Sequence, residues 1–166
     1  MKVCIDNHIL VWGIGKQAKK GQEAMIERAE AFLEKLKSEK HQVIIPAPVV
    51  TEFLVGIQED RHPEVLRTLQ THFMIAAFDV PSSVYASQVW KCYYGQQDLL
   101  NGPPPDGISS WRTKLKVDCQ VLGIAKRHQV DVLYTNDNGL LRMAKNFVRA
   151  ERLPEIQIQG SLRFGS

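Results

Sequence analysis

A single three-layer α/β domain, with a central parallel sheet flanked by helices, is the architecture this sequence predicts, on three observations. Strand-like apolar runs alternate with helical stripes along the chain. Two of those runs end in an aspartate: Lys2-Val3-Cys4-Ile5 leads to Asp6, and Val132-Leu133-Tyr134-Thr135-Asn136 leads to Asp137. The 166 residues contain no internal repeat or interdomain linker, so residues 1–166 suit one domain with a full core.

Taken in order, Lys2 to Ile5 is a first strand. Between Gly21 and Lys40, Met25, Ala29, Phe32, Leu33 and Leu36 fall on one helical stripe, with Glu and Lys on the opposite face, which predicts a packing helix. Val43-Ile44-Ile45 is a short buried strand, and the breakers Pro46 and Pro48 lead into a helix whose first turns carry Glu52. Pro63 begins another helix through Leu66 and Leu69. A strand over Met74 to Phe78 follows, then a helix from Pro81-Ser82 carrying Val84, Val89 and Trp90. Gly95 to Ser110 is irregular, with Pro103-Pro104-Pro105 at its centre, and with the residues just after it forms a loop at about 95–112. Asp118 opens the helical segment Val121-Leu122-Gly123-Ile124-Ala125, which runs into the strand before Asp137, and Ile156-Gln157-Ile158 supplies a final strand.

The composition, 44% hydrophobic and 23% charged, is that of a globular protein. A net charge of +3 and a pI near 8.8 permit a nucleic-acid partner without requiring one. Cys4, Cys92 and Cys119 are odd in number and widely spaced, which argues against a disulfide framework or a zinc site. No signal peptide is evident and no stretch approaches a membrane span, so no membrane partner and a cytoplasmic location are expected.

Asp6 and Asp137 end strands, where open α/β sheets bind ligands. Glu52 and Asp118 sit on helices that can reach the same edge, near N-termini where the helix dipole favours carboxylates. One such acid is more often a turn residue or a helix cap; four in consistent positions point to one shared site. Converged carboxylates repel one another and call for a cation. Oxygen ligands without clustered Cys or His suit Mg²⁺ or Mn²⁺, which can activate water against a phosphodiester.

At these residues the chain resembles the PIN domains, metal-dependent ribonucleases that include VapC-like toxins of toxin-antitoxin pairs. The resemblance covers nearly the whole chain: Val3-Cys4-Ile5-Asp6, Val50-Thr51-Glu52-Phe53, Asp118 heading a small-residue helix, and Thr135-Asn136-Asp137. It implies an endoribonuclease with Asp6, Glu52, Asp118 and Asp137 as catalytic metal ligands, an RNA substrate, an antitoxin partner and a homodimer, for which Val84 to Tyr94 offers an apolar interface. Two positions depart from the family pattern. Gly139 stands where many relatives carry a further acid, and His8 where a small polar residue usually follows the first Asp, with Asn7 one place early. Fewer acids imply one tightly held ion and a second that arrives with substrate.

Thr135 and Asn136 are expected to orient a ligand or water from behind the acids. Trp111, Arg112, Lys114 and Lys116 stand just before Asp118, as an RNA-binding arm in which the ring stacks on a base and the cations meet phosphates. The same segment also reads as a surface helix start with a half-buried tryptophan. His8 can assist proton transfer beside Asp6, although metal chemistry needs no histidine; His41, His62, His72 and His128 read as surface residues. Two rivals remain open. One is a catalytically weak or inactive RNA-binding or protein-interaction module. The other is a small phosphohydrolase, which often places a second Asp two residues after its nucleophile, where this chain has His8. The RNA target, the cleavage position and the choice between a toxin and a processing or decay role are not encoded in these patterns.

Overall fold

The computed structural model describes residues 1–94 and 108–155, the side chains of 94 and 108–113 excepted. Five parallel strands form one sheet in the order β3-β2-β1-β4-β5, flanked by seven helices among the described residues. The strands are β1 (Lys2–Ile5), β2 (Gln42–Pro46), β3 (Met74–Ala76), β4 (Val132–Tyr134) and β5 (Ala150–Glu151). The helices are α1 (Asn7–Gly13), α2 (Ala24–Ser38), α3 (Ala47–Val55), α4 (His62–His72), α5 (Val80–Tyr94), α6 (Ile108–Arg127) and α7 (Asn138–Ala144). A single 3₁₀ turn, Glu59–Arg61, precedes α4.

The apolar runs form strands because both faces of the sheet are covered. Along β2 the side chains alternate: Val43 and Ile45 enter the main core, whereas Ile44 joins Ala76 and Ile124 in a smaller cluster. The registers Val3↔Val43 and Val3↔Val132 place β1 between β2 and β4. The chain therefore winds outward from β1 to β3, then returns across α5 and α6 to lay β4 on the other side of β1. That reversal opens a crevice at the carboxyl ends of β1 and β4.

Several expectations need correction. The segment before Asp118 is not a loop as far as residue 112: α6 begins at Ile108, and with no proline before Arg127 it continues unbroken. Asp118 consequently lies in mid-helix, and Glu52 past the first turn of α3, so dipole stabilisation at a helix start applies to neither. Helices α1 and α7 and strand β5 were not anticipated; α1 follows Asp6 with no breaker, and its apolar residues prolong the pattern of β1. Residues 95–107 and the expected strand at Ile156–Ile158 lie outside the described residues. His62 and His41 are less exposed than surface residues: His62 Nε2–H donates to the Leu54 and Ile57 carbonyls at 3.1 and 3.0 Å, and the side chain of His41, beside Glu39, is 14% exposed.

Helices α5 and α6 meet at Gly123. A Cβ there would lie 2.5 Å from the Ser82 carbonyl oxygen and 2.9 Å from the Ala86 Cβ, one of them rigid backbone. Gly123→Ala should therefore destabilise the fold by about 1 to 3 kcal/mol through overpacking, despite the better helix propensity of alanine. Thermal and urea melts of the two proteins check this.

Candidate functional site

The register Ile5↔Tyr134 brings the chain out of β1 and β4 side by side, and Asp6 N–H donates to the Tyr134 carbonyl at 3.1 Å. Asp6 is 7% exposed and Thr135 is fully buried. The Thr135 hydroxyl donates to Asp6 Oδ2 at 2.6 Å and accepts from the Asp137 backbone N–H at 3.0 Å. One buried hydroxyl thus fixes the first carboxylate and the turn that carries the last.

The two strand-end aspartates differ. Asp6 is the N-cap residue of α1 but makes no side-chain capping bond. Asp137 caps α7: its Oδ1 accepts from Gly139 N–H at 2.6 Å and Leu140 N–H at 3.0 Å, while Lys114 Nζ donates to its Oδ2 at 2.7 Å. Cap and counter-charge coexist on one carboxylate.

Helices α3 and α6 bring Glu52 and Asp118 into the same field. Burial, then the charges of Asp137, Asp6 and Glu52, push the Asp118 carboxyl up to about 7, against the pull of Lys114. Glu52 is raised too, first by burial and then by Asp6 and Asp137, with His8 and Lys114 opposing. Burial acts to raise Asp137 as well, but the hydrogen bond and charge of Lys114 and the amides of Leu140 and Gly139 bring it below the usual carboxylate range. His8, with Nδ1 at 3.6 Å from Asp6 Oδ2, is held more basic chiefly by this close approach to the Asp6 carboxylate, reinforced by the charges of Asp137 and Glu52 and opposed by burial. Burial works against the Lys114 ammonium, yet the Asp137 hydrogen bond and the charges of Asp137, Asp118 and Asp6 raise it overall. The four expected acids, His8 and Lys114 therefore form one electrostatic group.

Among the described residues, no three Asp, Glu, His or Cys side chains are arranged to hold a metal ion as they stand. Thr135 occupies Asp6 Oδ2, and Lys114 occupies Asp137 Oδ2. The donor set nevertheless has the chemistry of a hard cation site: carboxylate oxygens carrying more negative charge than one lysine offsets. Gly139 adjoins the same pair. A Cβ there would stand 2.9 Å from Asp137 Oδ1 and 3.8 Å from Lys114 Nζ, so the chain lacks a side chain at 139 where it has placed an ammonium.

The remaining expected residues divide. Asn136 Oδ1 accepts from Leu153 N–H at 3.2 Å, tying the β4 turn to the segment after β5. Lys116 is exposed on α6, while the side chains of Trp111 and Arg112 lie outside the described residues. Lys114, expected to meet RNA phosphate, is paired inside the acidic group. Its spacing carried the signal: four residues before Asp118, it shares one helical face with that acid.

No protein family matches the chain by sequence, and no curated protein does. By structure it is similar to a chain of VapBC2 from Rickettsia felis, a complex bound to a DNA fragment from its promoter, with 16% identity and a TM-score of 0.65 over 93% of this chain and 100% of that one. It is also similar to a chain of DNA-bound VapBC from Salmonella typhimurium, with 15% identity and a TM-score of 0.59 over 93% and 99%. At these identities the likeness is one of fold: the chain has the PIN/VapC-like fold.

The raised Asp118 carboxyl has a direct consequence for stability. It binds a proton more tightly when folded than when unfolded, so its contribution is fully present below the ordinary value of 3.8 and is lost as pH rises to about 7. In EDTA, Asp118→Asn should melt higher than wild type at about pH 8 and by a smaller margin at about pH 5. Equal shifts at both values would show that the carboxyl is not strained.

Proposed function

We propose that the chain, built on the PIN/VapC-like fold, is a metal-dependent endoribonuclease acting as the toxin of a toxin-antitoxin pair in the cytoplasm. One observation carries this: Asp6, Glu52, Asp118 and Asp137 share one field in the crevice between β1 and β4, where burial first and the neighbouring carboxylates second push Asp118 to about 7. The VapBC neighbours support an antitoxin protein as partner. Among the described residues no helix is long and apolar enough to cross a membrane.

Asp6, Glu52 and Asp118 would hold Mg²⁺ or Mn²⁺, with Asp137 joining once Lys114 releases Oδ2. When bound, such an ion supplies Lewis acidity to a phosphodiester and a water nucleophile. The protein groups do the rest. Thr135 keeps the Asp6 carboxylate oriented. Lys114, freed from Asp137, offers an ammonium to a substrate phosphate, and Trp111, Arg112 and Lys116 extend that contact along α6. His8, held basic beside Asp6, can carry a proton at Nδ1.

A second reading is a binding module without turnover, favoured by the Lys114–Asp137 pair and by the absence of three ready-placed ligands among the described residues. Metal-dependent cleavage separates the two. The wild type should cut single-stranded RNA with Mn²⁺ and not in EDTA, and Asp6→Asn and Asp118→Asn should each lose cleavage while remaining folded. Cleavage by both variants at the wild-type rate would rule out the assigned site.

The assembly proposal is a homodimer. The exposed large apolar side chains Met74, Phe78, Val80 and Val84 lie together in sequence around the start of α5, and Val80 is 79% exposed. An apolar edge of this kind suits a symmetric contact. Light scattering at micromolar concentration should report twice the chain mass, and Val80→Lys with Val84→Lys should return a monomer.

A further inference from the structure

Beside the acidic crevice lies a pocket of about 430 Å³ whose lining, His8 apart, has no part in the proposed reaction. Asn7, His8 and Trp12 of α1 form one side, and Gln17, Lys19 and Gln22 of the segment between α1 and α2 form the other. The pocket adjoins the reaction site through His8, whose Nδ1 is 3.6 Å from Asp6 Oδ2.

Its shape is fixed by backbone bonds. Gln17 N–H donates to the Val11 carbonyl at 3.0 Å and Gln22 N–H to the Lys19 carbonyl at 2.9 Å. Lys16 and Gly21, at φ 52° and 86°, turn the chain at the two ends of this wall. Trp12 is 3% exposed and belongs to the core, so it is a rigid backing. The His8 ring lies 5.4 Å from it, tilted by 44°, with its side chain 46% exposed.

The chemistry of the lining is selective. A partly open aromatic ring, carboxamides that both donate and accept, and an ammonium, with no carboxylate among them, suit a flat heteroaromatic ring with a hydrogen-bonding edge and a phosphate attached. Asn7 lines the same side, with its Oδ1 enclosed and without a hydrogen-bond partner among the described residues.

We propose that this pocket is a base subsite, taking one nucleobase of single-stranded RNA next to the phosphodiester held at the acids. His8 stacks on the base, the Gln17 and Gln22 carboxamides read its edge, and Lys19 meets the adjoining phosphate. This rests on the ribonuclease reading and adds to it the place where sequence preference arises.

The test uses the full chain in EDTA, followed by ¹H–¹⁵N spectra during titration with the four nucleoside 5′-monophosphates and, separately, with ribose 5-phosphate. Nucleotides should move the Trp12 indole N–H and the side-chain amides of Asn7, Gln17 and Gln22, with one base bound more tightly than the others. Ribose 5-phosphate should leave those signals in place. Gln17→Ala with Gln22→Ala should weaken the preferred base by about tenfold and, in cleavage mapping with Mn²⁺, flatten the base preference at one position relative to the cut. Unmoved signals, or equal movement by ribose 5-phosphate, would overturn the subsite. Because the titration involves neither metal nor turnover, its failure alongside EDTA-sensitive cleavage removes only the subsite. Undiminished cleavage by Asp6→Asn and Asp118→Asn removes the site assignment instead.

Discussion

The buried hydroxyl of Thr135 is the contact on which the site's arrangement turns. It joins two chain segments that are distant in sequence and adjacent in space, because β4 returns to the side of β1 opposite β2. With its proton on Asp6 Oδ2 and its lone pair on the Asp137 amide, it satisfies a buried carboxylate and sets the turn into α7. A buried carboxylate left without such a donor would incur a large desolvation penalty. The parallel pairing of β1 with β4 and the position of the acids are therefore one constraint seen at two scales.

Around that contact the electrostatics are unbalanced in a specific way. Asp137 is satisfied, with two helix amides on one oxygen and Lys114 on the other, and its carboxyl is held low. Asp118 and Glu52 have no such hydrogen bonds among the described residues, and theirs are raised, first by burial. A group poised this way gains from a cation that reaches those two carboxyls, and Lys114 is a cation the chain already supplies to one side. The lysine and Gly139 are complementary: beside the ammonium, the chain carries hydrogen where a side chain would adjoin both Asp137 and Lys114.

Asp79 shows what the commoner fate of a strand-end acid looks like. It follows β3 at the same edge of the sheet, yet its Oδ1 accepts from the Ser82 amide at 2.9 Å and hydroxyl at 2.6 Å to start α5, and its Oδ2 lies 3.8 Å from Arg127 Nε. Those hydrogen bonds hold its carboxyl below the usual range, opposite to the direction at Asp118. The difference is topological. Asp79 stands at an outer strand, whereas Asp6 and Asp137 flank the crevice where the winding reverses.

What the sequence determined by itself was the local layer: the apolar runs of β1, β2 and β4, the stripe of α2, the prolines that open α3 and α4, and four acids spaced to meet at one edge. These follow from period and breaker residues, which act over a few positions. Tertiary structure decided what depends on contacts between distant segments. The continuation of α6 back to Ile108 moved Asp118 from a helix start to mid-helix. The closeness of α6 to the β4 turn drew Lys114 onto Asp137. Leu153 captured the Asn136 carboxamide, and α1 with the segment behind it enclosed a pocket beside His8 that no spacing announced. Side-chain partnership across a sheet edge depends on strand order and register, and in this chain both were set when β4 paired with β1 rather than with β3.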